Sequence, residues 1–184
     1  HIEMFSETFS LQHRIVSVQD KIKRVGWPME YLKTGLEQYK GMEKRDLILF
    51  PHRIAPEKQP EIFRDLAESM PEYEFVICQE RELTKVEYHN LLGEAKLVFS
   101  ANLQETLGIS WYEGAIVGAL PMVPNRLSYS EMADSDFVYP SAWTESYDKY
   151  LQHKQDIMRF IKDYMENYTK FLPALHKQVK KLET

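Results

Sequence analysis

Five short apolar runs, separated by stretches with helical periodicity, constrain this chain more than any other feature. They are "DLILFPH" (46–52), "YEFVICQ" (73–79), "KLVFSA" (96–101), "LPMVPN" (120–125) and "DFVYPS" (136–141). Each is nearly continuous in apolar residues and partly β-branched or aromatic, as strands covered on both faces are. Helical patterns fill the gaps. Pro60 suits a first helical turn, Ile62, Phe63, Leu66, Ala67 and Met70 follow at helical spacing, and Pro71 closes the segment. "TKVE" (84–87) is a capping-box pattern that turns Leu91 and Leu92 inward. Ile157, Phe160, Ile161, Tyr164, Met165, Tyr168, Phe171 and Leu172 keep one apolar face over four turns, and Pro173 is expected to kink or restart that helix.

This alternation predicts an α/β fold, a Rossmann-like parallel sheet flanked by helices. Residues 46–184 are assigned to it. Residues 1–45 read as an entry segment, in which "KIKRVGWPMEYL" suggests a strand end, a turn and a helix. A chain of 184 residues suffices for one domain or for one half of a larger enzyme.

Charge and composition remove several function classes. A net charge of -5 gives no electrostatic case for nucleic-acid or membrane-surface binding by this segment. No apolar run approaches the roughly 20 residues of a membrane span. The single cysteine, Cys78, excludes an internal disulfide and fits a reducing, cytoplasmic setting. The histidines are scattered without metal-ligand spacing, so no metal site is expected.

In parallel sheets, ligands bind beyond the carboxyl ends of the strands, near helix N-termini. "KLVFSANLQETLG" (96–108) places a loop after a strand, and "ISWYEGAIVGA" (109–119) reads as a helix starting near Gly108. Its unpaired amides and positive dipole end suit an anion, and a glycine allows close approach to the backbone. Glu105 and Glu113 flank that spot. Carboxylates repel phosphate but accept hydrogen bonds from sugar hydroxyls. The pairing suits a ligand with both groups, a sugar nucleotide. Arg53 and Lys58, in "PHRIAPEKQP" (51–60), lie beyond the first strand, where two cations neutralise a diphosphate and stabilise its departure.

These residues carry a resemblance. "ETLGISWYEGAIVGALP" resembles the donor-site motif of retaining nucleotide-sugar glycosyltransferases with the GT-B fold, in which a second glutamate follows the first by eight positions. "HRIAPEK" resembles the arginine-to-lysine segment of the same family. The likeness covers roughly residues 46–141 and implies the C-terminal, donor-binding half of a GT-B fold. It implies that Arg53 and Lys58 bind the donor diphosphate, together with the backbone of Thr106, Leu107 and Gly108. Glu105 would contact the transferred sugar and Glu113 the ribose. His52, Asn125 and Arg126 would line the donor cleft. The sequence departs from the family pattern at His52 and Gln59 (glycine is usual at both), Leu107 (phenylalanine), Gly114 (alanine) and Pro121 (one position late). "FPHRIAPEKQP" and "LPMVPNRLSYSEM" are further similar to the subgroup that contains the tRNA-queuosine mannosyltransferases, which favours GDP-mannose as donor.

The resemblance implies a metal-independent hexosyltransferase with no cofactor. Its partners would be a nucleoside-diphosphate sugar and a missing N-terminal acceptor-binding half. The acceptor is unspecified, and the segment alone is expected to be inactive, with an apolar strip exposed along its C-terminal helix. The alternative is a non-catalytic nucleotide-sugar-binding or protein-interaction domain of the same fold. A flavodoxin-like signalling domain fits less well, because the first strand ends in His52 and Arg53 where acidic residues would be needed.

Overall fold

The computed structural model describes residues 29–181, together with Leu11, Lys21 and Lys23. Among them are five strands: β1 (Arg45–Phe50), β2 (Glu74–Ile77), β3 (Ala95–Phe99), β4 (Leu120–Pro124) and β5 (Val138–Tyr139). Every predicted run holds one. All neighbours pair parallel, in the order β2-β1-β3-β4-β5. The sheet is Rossmann-like, as expected. Leu47 to Phe50, Leu97 to Phe99 and Met122 to Val123 are fully buried, which is why these runs do not alternate. The chain moves outward from β1 to β2, then returns to β3 on the other side of β1. The reversal opens a crevice between the carboxyl ends of β1 and β3.

Seven helices flank the sheet among the described residues: α1 (Glu30–Leu36), α2 (Pro60–Ser69), α3 (Lys85–Glu94), α4 (Ile109–Ile116), α5 (Tyr129–Met132), α6 (Tyr147–Glu166) and α7 (Tyr168–Lys181). Helix α2 begins at Pro60 and buries Ile62, Phe63 and Leu66. The capping box of α3 is complete. The Thr84 N–H donates to the Glu87 carboxylate at 2.7 Å, and the Glu87 N–H donates to Thr84 Oγ1 at 3.3 Å. In the anticipated entry segment, Met29, Leu32 and Leu36 are buried in the core, and α1 supplies the helix anticipated there. Residues 24–28, where the turn was expected, lie outside the described residues.

Three expectations need correction. The last helical stretch breaks at Asn167, between α6 and α7, while Pro173 sits inside α7. Asn167 ends α6 by donating its N–H to Asp163 O at 2.9 Å, and its side-chain amide bonds the Asp163 carboxylate at 2.7 Å. An asparagine that satisfies the last turn in this way stops the helix before the proline is reached. The apolar strip on these helices is not exposed. Ile157, Ile161, Tyr164, Met165 and Leu175 are buried within this chain's own core. Strand β5 is also shorter than its apolar run, because 3-10 turns at Ser135–Phe137 and Ser141–Thr144 occupy both flanks.

Gly114, where the resemblance led us to look for alanine, is explained by packing. A Cβ there would lie 2.7 Å from Val98 Cγ2, so α4 rests directly on β3. We expect Gly114→Ala to gain about 1 kcal/mol in helix propensity but lose more to overpacking against a stiff β-branched residue, roughly 1–3 kcal/mol. Thermal unfolding of the variant should show a lowered Tm, and Val98→Ala should cost less in that background than alone. An unchanged or raised Tm would contradict the contact.

Candidate functional site

The crevice between β1 and β3 is built from two loops. After β1 the chain runs through His52 and Arg53 into a 3-10 turn, Pro56–Lys58. After β3 it runs from Ser100 to Gly108, which starts α4. The loops are tied together. The Leu103 N–H donates to Glu57 O at 2.7 Å. Lys58, 8% exposed, donates to Gln104 O at 2.6 Å and to the Glu105 carboxylate at 3.1 Å.

Glu105 is held on three sides. Besides Lys58, Asn102 Nδ2 donates to Oε2 at 3.0 Å and the Thr106 N–H donates to Oε1 at 2.9 Å. Burial opposes ionisation of this carboxyl. The Lys58 hydrogen bond and charge and the Thr106 amide outweigh it, and the group stays below its ordinary value. Glu105 is therefore an anion at neutral pH.

Beneath this pair lies His52, 5% exposed. Its Nε2 lies 3.2 Å from Phe99 O, an acceptor, so Nε2 carries the proton, and Nδ1 faces Asn102 Nδ2 at 3.4 Å. Burial and then the nearby Lys58 ammonium lower its pKa to about 4. A neutral imidazole thus supports Asn102 from below. Asn102 Nδ2 also donates to Tyr129 Oη at 2.8 Å, and Tyr129 Oη lies 3.0 Å from Ser100 Oγ. Among the described residues none donates to the buried Asn102 Oδ1.

The start of α4 has little room. Gly108 has φ 71°, and a Cβ there would meet the Trp111 ring at 2.9 Å and Tyr129 Cε1 at 3.0 Å. Any larger residue is excluded both by conformation and by contact. Thr106 is exposed and Leu107 half-buried on the approach to this turn.

The other sequence-derived residues are less directly joined to the Lys58–Glu105 pair. Arg53 is two-thirds exposed and its guanidinium bonds the Glu57 carboxylate. Glu113, in the second turn of α4, accepts from Tyr88 Oη at 3.1 Å, and burial raises its pKa against that bond. Asn125 is exposed, with its N–H donating to Tyr139 O at 2.8 Å. Among the described residues, no group of three or more His, Cys, Asp or Glu is arranged to hold a metal, and no helix is long and apolar enough to cross a membrane.

Two structural residues around the site escaped the sequence reading, and a third took a different role. Asn102 orients Glu105, yet its only signal was a polar residue in a loop after a strand. Gln59 adopts φ 53°, the left-handed region in which glycine is at ease. Its side chain compensates by donating to Ala101 O at 2.6 Å and to Thr144 O at 2.7 Å, inside the protein. Arg126 is half-buried and turned inward. It donates to Asn102 O at 2.7 Å, Ser141 O at 3.0 Å, Ala101 O at 2.9 Å and Thr144 O at 3.2 Å. It thereby ties the loops after β3, β4 and β5.

No protein-family model matches the chain. It is 23% identical to a tRNA-queuosine alpha-mannosyltransferase of Drosophila melanogaster, over 71% of this chain and 44% of that protein. The chain therefore spans less than half the length of the curated relative it matches. Among solved structures it is similar to TarM, with a TM-score of 0.56 and 15% identity over 78% of this chain and 32% of that one. It is also similar to Anabaena Alr3699/HepE in complex with UDP and glucose, with a TM-score of 0.55 and 14% identity over 85% of this chain and 50% of that one. At these identities the structures speak for the fold. The resemblance to GT-B glycosyltransferases is borne out, with this Rossmann-like sheet corresponding to the C-terminal half of that fold.

The buried neutral His52 makes stability pH-dependent in a defined window. Its folded pKa, about 4, lies below the ordinary 6.5, so between these values the unfolded chain binds more protons. Stability is fully present above about pH 6.5 and is lost as pH falls toward 4, by on the order of 3 kcal/mol from this group. Urea unfolding from pH 7 to 4 should show that loss. His52→Gln should flatten the slope between pH 6.5 and 4.5, and an equal slope would refute the assignment.

Proposed function

We propose that this chain is the donor-binding half of a retaining glycosyltransferase, which moves a sugar from a nucleoside-diphosphate sugar to an acceptor held by a second half. The observation that supports it most is the Lys58–Glu105 arrangement at the crevice between β1 and β3, beside the amino end of α4. A fixed ammonium, the α4 amides and a hydroxyl-accepting carboxylate meet there, as a sugar diphosphate requires.

In this reading the diphosphate lies against the backbone of Thr106 to Gly108 and against Lys58. Lys58 and Arg53 take up the charge that grows on the leaving phosphate. Their charge stabilises the leaving group without a proton moving to that oxygen. Arg53 already sits over Glu57 and is exposed enough to turn toward an arriving anion. Glu105 accepts hydrogen bonds from the hydroxyls of the sugar. Glu113, steadied by Tyr88, accepts from the ribose. The likeness to the mannosyltransferase favours GDP over UDP as the nucleotide. Transfer with retention then requires the acceptor-side groups of the other half.

Calorimetric titration of the chain with UDP, GDP and ADP should give one preferred diphosphate, with GDP expected. Lys58→Met should weaken it at least tenfold, while Lys96→Met, a surface change, should not. Unaltered affinity in Lys58→Met would remove the basis of this assignment. A preference for UDP would reject the mannosyl refinement and leave the class intact. Incubated with labelled nucleotide sugars and a broad acceptor panel, the chain alone should form no product. Measurable transfer would show that a second half is not needed.

A further inference from the structure

A second hollow lies at the opposite, amino-terminal edge of the sheet. It has a volume of about 540 Å³ and opens where Lys44 leads into β1 and where Val117 and Gly118 lead into β4, with α7 as its outer wall. That is within the range of small-molecule sites. Its walls are of two kinds. Ile116, Leu172, Leu175 and Val179 give an apolar side. Lys40, Lys44, His176 and Lys180 border it, and among the described residues no aspartate or glutamate lines it. In a chain with more acidic than basic residues, that separation marks the hollow out.

Lys44 is the unusual member. Its ammonium donates to Gly93 O at 2.6 Å and to Val117 O at 2.8 Å, at the carboxyl ends of α3 and α4. An ammonium has three donors, and these bonds engage two. Its charge offsets two negative helix ends, and among the described residues no carboxylate is bonded to it. Burial lowers its pKa to about 8, the direction expected for a cation short of a counter-anion. Lys40 is paired with Glu37 at 2.6 Å, so Lys180 and His176, both exposed on α7, supply further cationic or donor groups at the rim.

We propose that this hollow is a binding site, distinct from the donor crevice, for an amphiphile with one anionic head and an apolar chain. The head, a carboxylate or phosphate, takes the remaining Lys44 donor and faces Lys180 and His176. The chain lies along Leu172 and Val179. The chemistry of the walls selects this class. A neutral apolar molecule would leave the Lys44 donor unanswered, and a bare inorganic anion would leave the apolar wall wet.

Calorimetry with decanoate, decyl phosphate, 1-decanol and inorganic phosphate on the intact chain, below the micelle concentration of each, tests this. Decanoate or decyl phosphate should bind at least tenfold tighter than either decanol or phosphate. Lys180→Ala with His176→Ala, both at exposed positions, should weaken the anionic amphiphile about threefold or more and leave decanol unchanged. Leu172→Trp, which fills the hollow, should abolish binding while leaving nucleotide titration as it was. Lys44→Met should act as the double variant does, if circular dichroism shows it folded. Equal binding of decanol, no binding of any probe, or binding insensitive to Leu172→Trp would each overturn the proposal.

Discussion

One buried ammonium organises the crevice. Lys58 comes from the turn after β1 and reaches the loop after β3, where it holds a backbone carbonyl and a carboxylate. Side-chain exposures of 10% and 17% place the pair largely out of water. Such a pair is a poor stability device, because removing two ions from water offsets most of their attraction. Two apolar residues of similar volume would hold the loops about as well. What apolar residues would lack is a cation and an anion fixed side by side at the mouth of a parallel sheet. The rest of the site elaborates this contact. Asn102 braces the anion, His52 braces Asn102, and Tyr129, held in turn by Ser100, accepts from the same amide nitrogen.

Much of this was legible in the sequence because it rests on local pattern. Continuous apolar runs marked strands sealed on both faces, and Thr84 and Glu87 announced the start of α3. Gly108 after "KLVFSA" placed a helix start beyond a strand end, and "PHRIAPEK" placed cations beyond the neighbouring strand. Parallel pairing followed from the strand–helix alternation, whereas the placing of β3 beside β1, which brings the two loops together, came from the structure.

The parts that were not legible depend on partners distant in the chain. The role of Asn102 requires His52, 50 positions away, and Tyr129, 27 away. Arg126 is of a residue type usual at surfaces, yet its bonds go to carbonyls from two other loops. The helix break at Asn167 was masked by an apolar spacing that continues through it and by a more conspicuous proline. The departures from the family pattern became intelligible only in three dimensions. Gly114 yields space to Val98, and Gln59 exchanges the ease of glycine for an inward amide.

The carbonyls of Ala101 and Thr144 each receive two donors, one from Gln59 and one from Arg126. This redundancy has a genetic consequence. Losing either side chain leaves both acceptors occupied, whereas losing both strands two oxygens in the interior. Substitutions at positions 59 and 126 are therefore epistatic: their joint cost exceeds the sum of the separate ones.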